Sequence, residues 1–209
     1  MLKIVSAPNP VLSKTAKEVK KIDKSILKLL EGMIQALLYA KDPVGVGLAA
    51  PQVEKPLQIF IAKPTPKSPT QVFINPKIVE AGGERGGPRR APAMNEVNED
   101  VGRGQSETGP ADNKTKGTTK LEGCLSLPNI WGEVKRNPTI KLQYQLITNN
   151  HELITKTDTF SGFIATIIQH EMDHLQGILF PKRVLEQKGT LYKSHKDEKN
   201  EDVFEEIEI

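Results

Sequence analysis

Near the C-terminal end of this 209-residue chain, Gln169-His170-Glu171-Met172-Asp173-His174 sets two imidazoles four residues apart with a carboxylate between them. Residues i and i+4 stand one above the other on a helix face, so His170 and His174 can grip one divalent cation together. Glu171 lies one residue round from that face. It is near enough to reach a water on the cation and too displaced to be a natural third ligand. Phe163, Ile164, Ile167 and Ile168, with Met172 and Leu175, recur at helical spacing. They predict a buried helix carrying both imidazoles into a water-poor interior. HExxH also arises by chance in helices without metal, and a single buried His is more often a satisfied core residue. Two of the four His of the chain in one such pattern are harder to read that way.

Two imidazoles leave a tetrahedral cation short of ligands. The one cysteine, Cys124, stands in Glu122-Gly123-Cys124-Leu125-Ser126. It cannot make an intramolecular disulfide, and Met1-Leu2-Lys3-Ile4-Val5-Ser6, followed by Pro8 and Pro10, does not resemble a signal peptide. A reducing compartment is expected, in which the thiol is free to coordinate metal. A small buried hydrophobe is the other reading of a lone cysteine. Gly123 allows close backbone approach, and Leu125 and Leu127 follow at strand spacing.

A third segment reads Gly45-Val46-Gly47-Leu48-Ala49-Ala50-Pro51-Gln52. It lacks the third glycine, the preceding strand and the following helix of a dinucleotide fingerprint, which excludes that function. Its small residues indicate backbone packed closely against a neighbour, with the Gln52 amide projecting as a neutral hydrogen-bond donor.

Together the three segments resemble the peptide deformylase family, which carries GΦGΦAAPQ, EGCLS and QHExDH in this order, Φ being apolar. All three stand here intact. The resemblance extends to the stretch 4–19, with its Pro10-Val11-Leu12, and to Asn75-Pro76. It covers about 150 of the 209 residues, leaving out 82–120 and much of the tail after 185.

The resemblance implies an enzyme that removes the N-formyl group from N-formylmethionyl nascent polypeptides and releases formate. Cys124, His170 and His174 would hold the cation, which lowers the pKa of its water from about 16 towards 7. Glu171 would act as general base and then acid, while Gln52 and the Leu125 N–H help the metal stabilise the oxyanion. The metal implied is Fe(II), with Zn(II) the alternative, because the softness of a His2Cys set does not separate them. Val46, Phe163, Thr166 and Ile167 would line a methionyl slot, with Gly45, Gly47 and Gly123 supplying backbone hydrogen bonds. Helical periodicity alone leaves Phe163 and Ile167 open to an ordinary core role. Arg136 would pair with Asp173 and fix the helix beside the metal, the alternative being a surface Arg beside a strand. One position departs from the family. Many bacterial members have Arg seven residues after the metal Cys, where this chain has Trp131. The indole can stack on a substrate side chain or simply pack on the rim, but it cannot donate the forked hydrogen bonds of Arg.

The elements that must position these groups fit an α+β domain, with mostly antiparallel strands around a central HExxH-bearing helix. A single catalytic domain is expected over 1–185, followed by a charged tail over 186–209. Ile26, Leu29, Leu30, Met33, Leu37 and Leu38 after Asp23-Lys24-Ser25 predict a helix over 22–40. Strands are expected at 57–62, 71–80, 120–127, 139–147 and 152–160, and the motif helix at 162–176, ended by Gly177. The stretch 82–120, rich in Gly, Pro, Asn, Glu and Thr, reads as a disordered loop inserted in a hairpin between 71–80 and 120–127.

That insert holds seven Lys/Arg against six Asp/Glu, so it is no basic patch and specific nucleic-acid binding is not expected. The tail from Lys196 carries seven acids against two Lys, which suits transient ribosome association poorly, and its last residues could add a short strand. No apolar run reaches the length of a membrane span. The location expected is cytoplasmic of bacterial type, with an organellar or phage origin left open. An HExxH zinc protease is the second enzymatic reading. It would need a third ligand downstream, where the chain offers His195 and Glu186. A metal-free binder of nascent chains is the non-enzymatic one, and the intact Glu171 and Cys124 weigh against it.

Overall fold

Asp23 caps the first long helix, α1 (Lys24–Tyr39), accepting from the N–H groups of Ser25 and Ile26 at 2.9 and 3.0 Å. A carboxylate there satisfies donors that the helix itself leaves unpaired. Ile26, Leu29, Leu30, Met33 and Leu37 form its buried stripe. The chain is described here from a computed structural model over residues 2–40, 44–82, 119–198 and 201–208. The insert, all but its first and last few residues, lies outside the described residues.

Among the described residues the strands form two antiparallel sheets. In the first, β1 (Gly47–Ala49), β2 (Ile59–Ala62), β3 (Gln71–Ala81), β6 (Thr139–Ile147) and β7 (Leu153–Ser161) lie side by side in that order. The second runs β4 (Thr119–Cys124), β5 (Leu127–Lys135), β8 (Leu191–Lys196) and β9 (Asp202–Glu206). Two shorter helices complete the fold: α2 (Phe163–Leu175), which carries the HExxH motif, and α3 (Phe180–Glu186).

β2 shows how the first sheet is buried on both faces. Ile59 and Ile61 pack with the stripe of α1, while Phe60 and Ala62 pack with Ala165, Ile167, Ile168 and Met172 of α2. Strand periodicity sends alternate side chains to opposite faces, so a strand between two helices must be apolar throughout. All four β2 side chains are fully buried. At roughly 1.5–3 kcal/mol for each large apolar side chain, this layer anchors α2 firmly. A third cluster seats α3 on the second sheet, where Phe180 and Val184 meet Val134 and Leu191 beside Cys124.

α2 is bounded by two glycines. Gly162 precedes it at φ +73°, and Gly177 follows at φ +71°, both in the left-handed region that disfavours side chains. At Gly177 a Cβ would also meet the Ser13 backbone at 2.6 Å. The helix therefore has a fixed start and stop.

Three expectations change. β3 and β4 do not form a hairpin: β3 pairs with β2 and β6, whereas β4 pairs with β5, in the other sheet. Strands adjacent in sequence usually pair, and the stretch separating these two removes that constraint. The strand expected over 120–127 is also two, because β4 stops at Cys124 and the chain turns through Leu125 and Ser126 into β5. The segment read as a charged tail builds β8 and β9, with β8 hydrogen-bonded to β5. No helix among the described residues is long and apolar enough to cross a membrane.

Candidate metal centre and active site

The last residue of β4 and one face of α2 bring three ligand types together. Cys124 Sγ and one ring nitrogen each from His170 and His174 lie within 4.8 Å of one another. Cys124 and His174 are almost fully buried, and Sγ sits 3.2 Å from His174 Nε2. His170 presents Nδ1 to Glu122 Oε2 at 3.0 Å, which turns its Nε2 inward. A sulfur and two imidazole nitrogens this close together match the donor set of a tetrahedral cation site. The ligands fit a metal.

Glu171 follows His170 and is only 3% exposed, and its Oε2 has no hydrogen-bond partner among the described residues. A carboxylate oxygen left alone in an apolar interior is costly unless a bound group satisfies it. Burial, chiefly, pushes the Glu171 carboxyl up to about 7, with the charges of His170 and His174 working against it. For Cys124, burial raises the thiol, yet His174 and His170 outweigh it and bring it down to about 5. The cluster already favours the thiolate, which is the ligating form.

Behind the ligands lies an acid-base network of which the sequence disclosed one edge. Arg136 donates through Nη1 to Asp173 at 2.6 Å. It also donates through Nε and Nη2 to both oxygens of Glu122, at 2.8 and 2.9 Å. Arg183 adds a forked pair to Asp173. Burial would raise the Glu122 carboxyl, but the bonds from Arg136 and His170 lower it to about 2. Glu122 and Arg183 were not singled out from the sequence. The available signal was a carboxylate in a strand two residues before a ligating Cys.

Gln52 sits in a 3-10 turn over Ala50–Val53 and is 1% exposed. Its Oε1 accepts from the Ala49 N–H at 2.8 Å, so Nε2 points at the site and donates to Ser126 Oγ at 3.1 Å and towards Cys124 Sγ at 3.6 Å. Gly47 leaves room where room is scarce: a Cβ there would lie 2.3 Å from Glu171 Oε1.

These groups open onto a cavity of about 240 Å³. Every residue expected for substrate lines it: Gly45, Val46, Gly47, Gly123, Phe163, Thr166 and Ile167, together with Leu125. Phe163 is 47% exposed, so it is a wall of the opening and not a core residue. Ile167 serves both, buried in the main core and facing the cavity. The Thr166 backbone N–H donates to the Gly162 carbonyl at 3.2 Å. Trp131 also lines the cavity, its ring stacked over Gly123. The alternative third ligands stand apart. Glu186 is ion-paired with Arg183 and His195 faces Glu205, and neither joins the ligand cluster.

Comparison with known proteins agrees with this geometry. The family model described as polypeptide deformylase matches residues 1–189. Peptide deformylase 1 of Bacillus cereus is 34% identical over 184 residues, covering 88% of this chain and 92% of that protein. The crystal structure of peptide deformylase from Thermotoga maritima aligns with a TM-score of 0.64 at 31% identity, over 88% of this chain and 97% of its own. A peptide deformylase structure from Acinetobacter baumannii with Met-Ala-Ser bound aligns with a TM-score of 0.61 at 27% identity, over 88% and 98%. Both sheets but for the β8–β9 hairpin, and every ligand, lie within the matched residues, and the chain belongs to the polypeptide deformylase family.

Proposed function

We propose that this chain hydrolyses the N-formyl group from the N-terminal formylmethionine of newly made polypeptides, releasing formate and a free amine. The observation that carries the reading is the convergence of Cys124, His170 and His174 beside the buried oxygen of Glu171, which has no partner among the described residues. A cation held by these three residues, when bound, supplies a Lewis acid and a hydroxide-equivalent nucleophile at neutral pH.

The residues divide the remaining work. Glu171 Oε2 takes a proton from the attacking water as the C–O bond forms, and returns it to the leaving nitrogen as the C–N bond breaks. The Gln52 Nε2–H and the Leu125 N–H donate to the formyl oxygen as it gains charge. Losing one such donor typically costs on the order of 3 kcal/mol of barrier. Glu122 accepts the Nδ1–H of His170, which leaves Nε2 unprotonated and aimed at the cation. Arg136 and Asp173 hold that orientation from behind. Val46, Phe163, Thr166 and Ile167 enclose the methionyl side chain, and the backbone of Gly45, Gly47 and Gly123 positions the formyl-methionyl unit.

The physiological metal is proposed to be Fe(II), with zinc the form recovered after aerobic purification. A thiolate beside ferrous iron is open to oxidation, which fits a reducing, cytoplasmic setting. The experiment is formate release from formyl-Met-Ala-Ser, set against cleavage of an internal peptide bond, with metal content measured anaerobically. Formate release with about one cation per chain is expected. Internal cleavage without formate would overturn the proposal in favour of a protease.

A further inference from the structure

Trp131 is the one tryptophan of the chain, and its ring is gripped by a hairpin outside the family match. Its Nε1–H donates to Ser194 Oγ at 3.0 Å. The Phe204 ring meets it edge-on, with centroids 5.7 Å apart. Ser194 and Phe204 are direct cross-strand partners in β8 and β9, so one rung of the hairpin holds the indole from both strands. The family model ends at residue 189, and both of these partners lie beyond it.

The other side of the indole rests on substrate-facing backbone. Trp131 is the β5 partner of Gly123, and a Cβ on Gly123 would lie 2.9 Å from its ring. The ring therefore covers the strand residue directly before Cys124. It lines the catalytic cavity on one side and a second groove, with Ser194 and Asn129, on the other. Within the cavity the methionyl slot uses Val46, Phe163, Thr166 and Ile167. Leu121 and Trp131 are apolar walls that slot leaves unused, and both stand on β4 or β5, across from α2.

We infer that Trp131, fixed by Ser194 and Phe204, is a specificity wall that favours a large apolar residue directly after the formylmethionine. The inference rests on the proposed deformylase activity and narrows its substrate class. A preorganised ring loses no rotamer freedom on contact, so stacking is not offset by ordering. Aromatic contacts of this type correspond to discrimination of about three- to tenfold. Ser194 and Phe204 act as positioning residues, since they touch the indole and lie away from the cavity.

The test compares metal-loaded enzyme on formyl-Met-Phe-Ser and formyl-Met-Gly-Ser. The unmodified enzyme is expected to prefer the Phe peptide by about tenfold in kcat/KM, with the difference residing in KM. Trp131→Ala should bring the ratio close to one, Trp131→Phe should restore most of it, and Ser194→Ala and Phe204→Ala should each lower it about threefold. The product Met-Phe-Ser should shift the emission of the lone indole, and Met-Gly-Ser should not. Should Trp131→Ala fail to fold, the two hairpin variants and the emission titration decide the matter. A ratio near one in the unmodified enzyme, or a ratio unmoved by every substitution, overturns the inference while leaving the deformylase activity standing. Absence of formate from both peptides overturns the activity itself, and the specificity wall with it.

Discussion

Glu122 Oε2 lies 3.0 Å from His170 Nδ1, and the same carboxylate is held at both oxygens by Arg136. One acid thus fixes the tautomer of a metal ligand while a buried cation keeps that acid ionised. Glu122→Gln retains the shape but loses the charge that both partners need. Metal affinity should fall about 10- to 100-fold, measured by competition with a chelator. An unchanged affinity would mean that packing alone orients His170.

Glu171 presents the contrasting case, because its free oxygen faces the reaction and not the ligands. Glu171→Gln should keep its metal and lose on the order of 10²-fold or more in turnover, since an amide cannot take up the proton. Metal analysis beside the rate separates this from a ligand role, in which cation and activity would disappear together.

Acid should weaken the metal-free protein through Glu122. Burial opposes its ionisation, but Arg136 and His170 bring its carboxyl to about 2 from an ordinary 4.5. A depressed carboxylate contributes stability that is complete above the unfolded value and disappears as pH falls through the folded one. The window is therefore from about 4.5 down to about 2. A shift of this size corresponds to roughly 3 kcal/mol. Urea unfolding of chelator-treated protein at stepped pH should show the loss, and Glu122→Gln should flatten it.

The long helices were legible because several constraints coincided. Asp23, the apolar stripe and the end of the periodicity bracket α1 within two residues of the expected 22–40. For α2, Gly177 and the alternation of apolar and ligand positions do the same. β6 and β7 announced themselves by period-two patterning around Asn149-Asn150. β5 did not, because Pro128, Asn129 and Gly132 interrupt its pattern, and its register against β4 shifts between Gly123 and Cys124. β8 and β9 were obscured by charge: Lys193, His195 and Lys196 on β8, and Asp202 and Glu205 on the edge strand β9, face solvent, where polarity costs little. At the site, the ligands lay in motifs with short spacing. Glu122 escaped because its partners are 14 and 48 residues away, and only folding brings them to it.

Gly47 offers a steric test of the same centre. An added Cβ would lie 2.3 Å from Glu171 Oε1 and 2.9 Å from Ile167 Cγ2, so either the carboxylate or β1 must shift. Gly47→Ala should lower kcat at least tenfold, because misplacing a proton acceptor by about 1 Å costs about two orders of magnitude in unfavourable cases. Overpacking should cost about 1–3 kcal/mol of stability. Retained metal with reduced turnover is the expected pattern, and full activity would show that Glu171 has room to move.

Thr166 decides what the wall of α2 is for. It is partly buried, one turn before His170, and faces the cavity between Phe163 and Ile167. An apolar residue would pack better there if the position served the core. Thr166→Phe adds bulk to a space of about 240 Å³, where a methionyl side chain would have to enter. KM for formyl-Met peptides should rise at least tenfold, while the thermal midpoint moves little, because the new ring has open space to occupy. Metal content should stay the same, since neither imidazole is displaced. A large fall in stability with unchanged KM would place Thr166 in the core and remove the methionyl slot from this face of the helix.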